Sequence, residues 1–503
     1  MPSPILNKFP PFKKPLKVLF VVAEVYSYAV VGGLGMAISS LSKALKKLGI
    51  DVRIFMPKYA LIDEKKYHLE MVQRRLKVPT DEIVEEKRMT ICNVKKYTPV
   101  ENGVPIYFLE NREYYEKRSN IYGYSDDPIR FALLSRGCLE FLRNSDWTPD
   151  IINCADWHTG ILPNYLKTIY KGDTKISKIK TVLSIHNLYH QGVFDHRSVS
   201  ELDFDDGKAP IASFFSERLP KQNFLKRGII YSDFINTVSE TYAQEILTKE
   251  YGEGLDALLK EVRTKIFGIL NGIDYQELNP ATDKMIVTNF NLATLRKRAE
   301  NKLQLQKEFG LEVSAETPII GMVARLDEQK GIDLLFPIFE TLISEFNCQF
   351  VILGGGEPKY RSFFEEMNKK YPKKVGCHLM SDFTLARHIF AGSDVFLVPS
   401  KFEPCGITQM EAMRYGAIPV VRKTGGLADT VEDFDPIKDR GTGFVFEKFH
   451  SSALFGSIIR ALETYKYKKV WQGLIKMAME ADFSWGVSAK KYLELYKRVI
   501  SLP

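Results

Sequence analysis

The chain has 503 residues and a formal net charge of +8, and its content of 45% hydrophobic and 26% charged residues is ordinary for a globular protein. Because one hydrophobic core rarely serves more than about 250–300 residues, we expect two domains. The basic residues are spread along the chain without a block of five like charges, which argues against a nucleic-acid-binding arm.

The six cysteines form no CxxC pair, and no HExxH motif or other metal-ligand cluster is present in the sequence. We therefore predict reduced thiols, no metal site and no cofactor. The sequence has no apolar run of the roughly 18 residues that cross a membrane, and its start lacks the apolar region of a signal peptide. We expect a cytoplasmic enzyme with no membrane partner. Residues 1–16 are expected to form a short tail before the first strand.

Short β-branched runs alternate with longer amphipathic segments, which is typical of parallel βαβ units. The first strand is predicted at 18–22, and a glycine-rich turn then leads into a helix near 37–48. Further strands are predicted at 51–55, 105–109, 151–154, 181–185 and 234–238. These elements indicate one doubly wound sheet, and we place the first domain at 17–270.

The pattern pauses at an Asn-Gly turn near 271, and we place the linker at about 270–290. A helix at about 293–309 precedes strands predicted at 319–323, 349–353, 375–379, 394–398 and 417–421. These define a second domain, 271–484, and we expect a C-terminal helix at 485–503 to pack back on the first. Open α/β sheets bind ligands beyond the carboxyl ends of their strands, so we expect the chemistry in those loops, at a shared crevice.

Two strand-end loops each allow two interpretations. In the turn at 31–35, Gly32 and Gly33 let a ligand approach backbone N–H groups at a helix start, but glycine turns also close βα units that bind nothing. In the loop 324–331, Arg325 and Lys330 are suited to a diphosphate, but they can equally form surface ion pairs with neighbouring acids.

The segment 399–411 is the strongest motif, because it places Glu403 in a strand-end loop and Glu411 eight residues on, in the following helix. The turn through Cys405 and Gly406 leads to Ile407 and Thr408, whose N–H groups would open that helix and could hold a phosphate. The alternative is one glutamate that complements the helix dipole and one that is simply solvated.

Two further groups of polar residues follow predicted strands. Asp156 and His158 follow one strand, and His186, Asn187 and Gln191 follow the next. Such side chains suit carbohydrate hydroxyls, although a single histidine at such a place is more often structural. A further strand-end glycine turn contains Gly425 and Gly426.

Together these motifs resemble bacterial glycogen synthases and plant starch synthases over about 17–500. Other landmarks in the family's order are 224–228, 237–239, 271–274, Phe383 and 483–485. The resemblance implies a GT-B-type α/β fold of two Rossmann-like domains facing a central cleft. It also implies transfer of glucose from ADP-glucose or UDP-glucose to the non-reducing end of an α-1,4-glucan, with retention at the anomeric carbon.

The resemblance also implies roles for individual residues. Arg325 and Lys330 match the pair that neutralises the leaving diphosphate, Glu403 the sugar-binding carboxylate, and His186 the residue that contacts the transferred glucose. Glu411 matches a ribose-binding position, although many bacterial glycogen synthases have tyrosine there. The expected donor-binding set is Gly32, Gly33, Cys405, Gly406, Ile407, Thr408, Glu411, Gly425 and Gly426. The expected acceptor-binding set is Tyr114, Tyr115, Asp126, Arg130, Asp156, Asn187 and Gln191, with the two tyrosines stacking on a glucan ring.

The first glycine turn departs from the family pattern at two positions. Val30 replaces the usual lysine, and Met36 stands where an acidic residue is usual. A lost charge-assisted contact is worth about 1.5–3 kcal/mol. Two hypotheses remain: an active glucan synthase, or a catalytically weak homologue that binds glucan or nucleotide sugar and supports polymer priming. A phosphorylase of the same fold would need a pyridoxal-lysine context, which the sequence does not show.

Overall fold

The computed structural model describes residues 14–81, 88–99, 103–192 and 205–502. Contacts between Cα atoms divide the chain into two compact units. The first comprises the chain up to Val238, Ala243–Ile269 and the segment from Trp485 onward, and the second comprises Ser239–Tyr242 and Leu270–Ser484. The predicted tail at 1–16 lies mostly outside the described residues.

The first unit is built on a nine-stranded sheet. Its strands are β1 (Lys17–Val21), β2 (Asp51–Pro57), β3 (Glu70–Pro79), β4 (Met89–Tyr97), β5 (Ile106–Glu110), β6 (Ile151–Ala155), β7 (Lys180–Ile185), β8 (Phe234–Thr237) and β9 (Ile266–Gly268). The helices in this part of the chain are α1 (Gly33–Lys47), α2 (Asp127–Asn144), α3 (Asp156–Lys167), α4 (Phe224–Tyr231), α5 (Glu240–Glu245) and α6 (Asp256–Glu261).

The strand order is β3-β4-β5-β2-β1-β6-β7-β8-β9. The pairs from β5 to β8 in this order are parallel, as the alternating pattern predicts. The short strand β9, which pairs in parallel with β8, was not predicted. The antiparallel strands β3 and β4 extend one edge and were not predicted. Strand β3 exposes half of its ten side chains, so its sequence lacks the apolar run by which the buried strands are recognised.

The second unit contains a six-stranded parallel sheet. Its strands are β10 (Ile319–Val323), β11 (Gln349–Leu353), β12 (Val375–His378), β13 (Val395–Val398), β14 (Ile418–Arg422) and β15 (Phe444–Phe446). Its helices are α7 (Arg298–Glu308), α8 (Phe339–Glu345), α9 (Pro358–Lys370), α10 (Phe383–Gly392), α11 (Thr408–Arg414), α12 (Gly425–Thr430), α13 (Ser451–Tyr465) and α14 (Lys468–Glu480).

The order of this sheet is β12-β11-β10-β13-β14-β15. Strands β11 and β12 are added on one side of β10, and strands β13, β14 and β15 are then added on its other side. The loops that follow β10 and β13 therefore diverge, and the crevice between them is the place where open α/β sheets bind ligands.

The last helix, α15 (Trp485–Ser501), belongs to the first unit, where it packs on α1 and β7. Two buried tyrosines tie it to the sheet: the hydroxyl of Tyr496 donates to Oδ1 of Asn153 at 2.7 Å, and that of Tyr492 accepts from Nδ2 of Asn236 at 2.8 Å. The described helices include none that is both long enough and apolar enough to cross a bilayer.

Candidate active site

Lys330 and Glu403 meet beside the crevice of the second unit. They lie in the loops that follow β10 and β13, and the ammonium nitrogen of Lys330 is 2.6 Å from Oε2 of Glu403. The hydroxyl of Ser400 donates to the same oxygen at 3.0 Å. Two of the four residues to which the resemblance assigns roles at the diphosphate and the transferred glucose are thus in direct contact, with Glu403 buried.

Glycine at position 331 lets these two loops touch. Gly331 adopts a left-handed conformation with φ of 68°, and a Cβ there would lie 2.1 Å from the carbonyl oxygen of Pro399. Asp327 helps to fix the same turn, because its carboxylate accepts the backbone N–H of Lys330 at 3.3 Å. The position of the lysine is therefore set by the backbone of both loops.

Arg325 is placed differently. Its side chain is 72% exposed and forms an ion pair with Asp327 at 3.4 Å, so its local contact is the surface pair that the sequence left open as an alternative. An exposed pair of this kind contributes only about 0–1 kcal/mol. Little free energy therefore opposes a movement of the guanidinium onto an anionic ligand.

The 403–408 turn packs directly against the glycine turn that follows β14. A Cβ on Gly425 would lie 1.9 Å from the carbonyl oxygen of Glu403, and a Cβ on Gly426 would lie 1.8 Å from that of Cys405. Gly406, with φ of 68°, bends the chain before Ile407 and Thr408 enter α11. The structure thus gives Gly425 and Gly426 a packing role, and their predicted contact with the donor stays a prediction.

Two titratable groups of this region have shifted pKa values. Burial raises the pKa of the Cys405 thiol to about 12, so the thiol is protonated at neutral pH. Burial also raises the pKa of Glu411 to about 7, and Arg387 opposes that shift. A carboxyl group that is partly protonated near neutrality can donate as well as accept a hydrogen bond.

In the first unit, the glycine turn is occupied by a buried carboxylate. Glu24, which follows β1, accepts hydrogen bonds from the backbone N–H groups of Val31 and, at 3.3 Å, of Gly32. The predicted use of the Gly32 N–H for the donor conflicts with this bond, because the group already has an acceptor. Gly33 begins α1. The arrangement favours the alternative that the turn closes a βα unit.

The same turn presents apolar side chains to solvent. Val30 is 43% exposed and Met36 is 38% exposed. The two positions at which the chain departs from the family pattern are thus both at the surface of the turn. A lysine side chain at position 30 would be accessible to solvent and to a ligand.

Asp156 connects the loops that follow β6 and β7. It has a left-handed φ of 52°, and its Oδ1 accepts the backbone N–H of His186 at 2.6 Å and of Asn187 at 3.4 Å. Burial raises its pKa to about 7. Gln191 is also engaged, since its amide donates to the carbonyl of Glu253 at 2.8 Å. If Asp156 and Gln191 contact the acceptor as predicted, those contacts would form in addition to these hydrogen bonds or would replace them.

His158 is a candidate site residue that the sequence analysis named in a motif but did not single out. Its buried ring stacks on Trp157 with centroids 4.0 Å apart, and neither ring nitrogen has a hydrogen-bond partner among the described residues. Nε2 of His186 also lacks a partner within the described part of the chain. Burial lowers the pKa of His158 to about 3 and that of His186 to about 4, so both rings are neutral at pH 7.

A neutral, buried imidazole makes stability depend on pH. Between pH 6.5 and pH 3 the unfolded state binds a proton that folded His158 does not, so the free energy of unfolding falls as the pH falls. We expect His158→Phe to remove up to about 1.4 kcal/mol per pH unit of this dependence. Urea unfolding of both proteins from pH 6.5 to 4.5 measures the difference in slope, and parallel curves would contradict a depressed pKa.

The predicted acceptor element is divided between core and surface. Arg130 is fully buried, forms an ion pair with Asp127, and donates to the carbonyls of Tyr114 at 2.7 Å and Ile121 at 2.8 Å. The ring of Tyr115 is also fully buried. The prediction that Arg130 and Tyr115 contact the acceptor is therefore wrong, because neither side chain is accessible. Both side chains are buried beneath the loop and stabilise it.

Two members of the predicted acceptor set remain accessible on this loop. Tyr114 is half-buried, and Asp126 forms an ion pair with Arg118 at a partly exposed position. Their roles stay predictions.

One group of carboxylates in the described residues is close enough to share a cation: Glu64, Glu110 and Glu116. Lys58 lies 3.1 Å from Glu64 and 3.0 Å from Glu116, and Lys95 lies 2.7 Å from Glu64. The two ammonium groups already supply positive charge to this cluster.

Comparison with known proteins gives a consistent result. The family model described as starch synthase catalytic domain matches residues 17–261, and the model described as glycosyl transferases group 1 matches 305–473. A glycogen synthase from Thermosipho melanesiensis is 43% identical, with 97% of this chain and 99% of that protein covered. A glycogen synthase from Thermotoga maritima is 42% identical with the same coverage.

Solved structures agree. The catalytic domain of starch synthase IV from Arabidopsis thaliana, bound to ADP and acarbose, matches with a TM-score of 0.83 and 34% identity over 97% of this chain and all of that chain. A sucrose-phosphate synthase from Thermosynechococcus elongatus shares the fold, with a TM-score of 0.59, 17% identity and coverage of 97% and 100%. The protein is a glycosyltransferase of the GT-B type, as the sequence predicts. It belongs to the glycogen synthase and starch synthase family.

Proposed function

We propose that the protein transfers glucose from a nucleoside-diphosphate glucose to the non-reducing end of an α-1,4-glucan, with retention at the anomeric carbon. The observation that most supports this is the contact of Lys330 with Glu403 beside the crevice of the second sheet. A cation and a carboxylate in contact at a ligand-binding edge suit a substrate that carries both a diphosphate and sugar hydroxyls.

The proposed chemistry depends on charge that develops on the leaving diphosphate. When a donor enters, the ammonium group of Lys330 exchanges part of its contact with Glu403 for a phosphate oxygen, and the guanidinium of Arg325 turns from Asp327 onto the same group. Fixed cations at a developing negative charge are the largest single source of rate enhancement in such sites. Glu403 is then free to accept hydrogen bonds from the sugar hydroxyls.

Retention follows if the acceptor hydroxyl attacks from the face that the diphosphate leaves. The new bond from the acceptor oxygen to C1 forms as the bond from C1 to the diphosphate oxygen breaks, and the hydroxyl proton passes to that departing oxygen. That route needs no enzyme nucleophile, and it is consistent with the protonated state of the buried Cys405 thiol. The neutral rings of His158 and His186 offer ring nitrogens without partners among the described residues, which suits hydrogen bonds to the transferred glucose. Leaving such buried groups unpaired costs about 1–3 kcal/mol, so a ligand that pairs them binds more tightly.

We favour ADP-glucose over UDP-glucose as the donor. The support is the starch synthase IV relative, which is 34% identical and was solved with ADP. The same structure holds acarbose, and this supports a glucan acceptor. On the acceptor side we propose contacts from Tyr114, Asp126, Asn187 and Gln191, the members of the predicted set that are partly accessible.

The test is transfer of radiolabelled glucose to glycogen from ADP-glucose and, in parallel, from UDP-glucose. We expect incorporation that is faster from ADP-glucose, and digestion by an α-1,4-specific glucosidase should release the label. Faster transfer from UDP-glucose would overturn the donor assignment. No incorporation from either donor would overturn the proposed activity.

The second hypothesis, a catalytically weak homologue, is motivated by the exposed valine at position 30. Val30→Lys is expected to raise the rate of transfer about ten- to a hundredfold if a charge-assisted contact is what the chain lacks. Initial rates with ADP-glucose measure this, and Val31→Lys, at the neighbouring exposed position, is the matched control. An unchanged rate for Val30→Lys would mean that the site works without a cation there.

A further inference from the structure

A groove of about 730 Å³ lies in the second unit, away from the loops described above. Its walls are the segment that leads into α7, the turn at Ala315, and the junction of α13 with α14. The side chains that matter for its chemistry are Arg296, Lys297, Lys302, Tyr465, Lys468 and Trp471.

The groove lies at the amino-terminal edge of the sheet. Asp394, which lines it, precedes β13 and accepts the backbone N–H of Ile319, the first residue of β10, at 2.9 Å. Lys330 and Glu403 follow the carboxyl ends of the same two strands. The groove and the candidate active site are therefore on opposite edges of one sheet.

The floor of the groove contains an excess of buried positive charge. Asp394 is 2.8 Å from the ammonium group of Lys302 and 3.9 Å from the guanidinium of Arg298, and all three side chains are buried. Two cations thus face one anion. Burial lowers the pKa of Lys302, an effect that a second anion in the groove would oppose.

The rim adds more positive charge. Arg296 and Lys297 are exposed, and within the described residues neither side chain forms an ion pair. Lys468 lies 3.7 Å above the ring of Tyr465 and 3.2 Å from Glu316, so one of the three rim cations is partly balanced. Arginine and lysine side chains form charge-assisted hydrogen bonds to phosphate oxygens.

The groove also has an aromatic wall with an unused donor. Trp471 is only 3% exposed, and its indole N–H has no hydrogen-bond acceptor among the described residues. Its ring centroid is 5.3 Å from that of Tyr465. Buried polar groups are nearly always paired in native proteins, so an unpaired buried N–H in the wall of a groove indicates a missing partner.

We propose that this groove binds a small organic phosphate. The phosphate lies among Arg296, Lys297 and Lys468 and offsets the excess charge near Lys302, and the organic part contacts the small exposed parts of the Tyr465 and Trp471 side chains. An aromatic wall alone would suit any apolar molecule, and exposed cations alone any anion. Their combination selects a ligand with one apolar or ring-shaped part and one doubly charged end.

The test is isothermal titration calorimetry with phenyl phosphate and with inorganic phosphate, at an ionic strength held constant with chloride. We expect saturable binding of both, with phenyl phosphate at least fivefold tighter. Lys330→Ala, which weakens phosphate binding in the candidate active site, should retain saturable phenyl phosphate binding, and adding Arg296→Ala/Lys297→Ala to it should weaken that remaining binding at least tenfold. Thermal unfolding of each variant checks that it is folded.

A second variant tests the aromatic wall. Trp471→Phe keeps a ring but removes the indole N–H, and we expect it to weaken phenyl phosphate binding about threefold. Equal affinity for the two probes would overturn an organic ligand. Loss of binding in Lys330→Ala, or no saturable binding in the unchanged protein, would overturn the site itself.

Discussion

Lys330→Ala is expected to lower the rate of glucose transfer about 100- to 1,000-fold, the usual effect of removing one fixed donor from a developing negative charge. The structure places this ammonium group 2.6 Å from Glu403, at the crevice where the diphosphate is proposed to bind. Initial rates with labelled ADP-glucose and glycogen measure the effect. Both kcat and kcat/KM should fall, because the contact strengthens as charge moves onto the diphosphate.

The matched control is a surface ion pair of the same unit. Lys370 and Glu340 are 2.7 Å apart with both side chains about half exposed, so Lys370→Ala removes a similar contact outside the crevice. We expect its transfer rate to stay within twofold of the unchanged protein. Equal losses in Lys330→Ala and Lys370→Ala would mean that the variants act through stability and not through the diphosphate.

Glu403→Gln should separate sugar recognition from nucleotide binding. The substitution keeps the size of the side chain and an oxygen for the Ser400 hydroxyl, but it removes the negative charge. We expect the transfer rate to fall about 100-fold, since hydrogen bonds from the sugar hydroxyls to a charged acceptor contribute about 1.5–3 kcal/mol, and two of them suffice for this loss.

ADP, which lacks the sugar, should bind Glu403→Gln at least as tightly as it binds the unchanged protein. In the variant, Lys330 does not have to give up an ion pair with a carboxylate in order to contact the diphosphate. Calorimetry with ADP measures this, and Glu340→Gln is the control variant. If ADP affinity fell as much as the transfer rate, Glu403 would act on the nucleotide and not on the sugar.

Most of the parallel core of both units could be predicted because its strands are short apolar runs, whereas the three-residue parallel edge strands β9 and β15 were not predicted. The strands predicted at 319–323 and 349–353 coincide with β10 and β11. The contact of Lys330 with Glu403 follows from the same pattern, since their loops leave two neighbouring parallel strands at the point where the order reverses. A correct strand assignment is enough to bring those loops together.

Other features depend on which way a side chain points, and a motif does not determine that. Tyr115 and Arg130 belong to a segment that resembles the family's acceptor element, yet both side chains are buried. Glu24 was not predicted, because a single acidic residue after an apolar strand forms no motif. Its partners are backbone N–H groups of a turn, which any sequence supplies.

Arg325 shows a third limit. Its loop was predicted correctly, but an exposed side chain on a loop takes its position from small energies, here an ion pair with Asp327. Such a position is expected to change when a stronger anion arrives. The sequence therefore left both interpretations open.

The affinity of ADP for the double variant Arg325→Ala/Lys330→Ala, measured by calorimetry against the unchanged protein, tests the account most directly. Two charge-assisted contacts at about 1.5 kcal/mol each predict a dissociation constant at least 100-fold higher in the variant. An unchanged dissociation constant in a folded variant would show that these two cations do not hold the diphosphate, and the proposed mechanism would then be wrong.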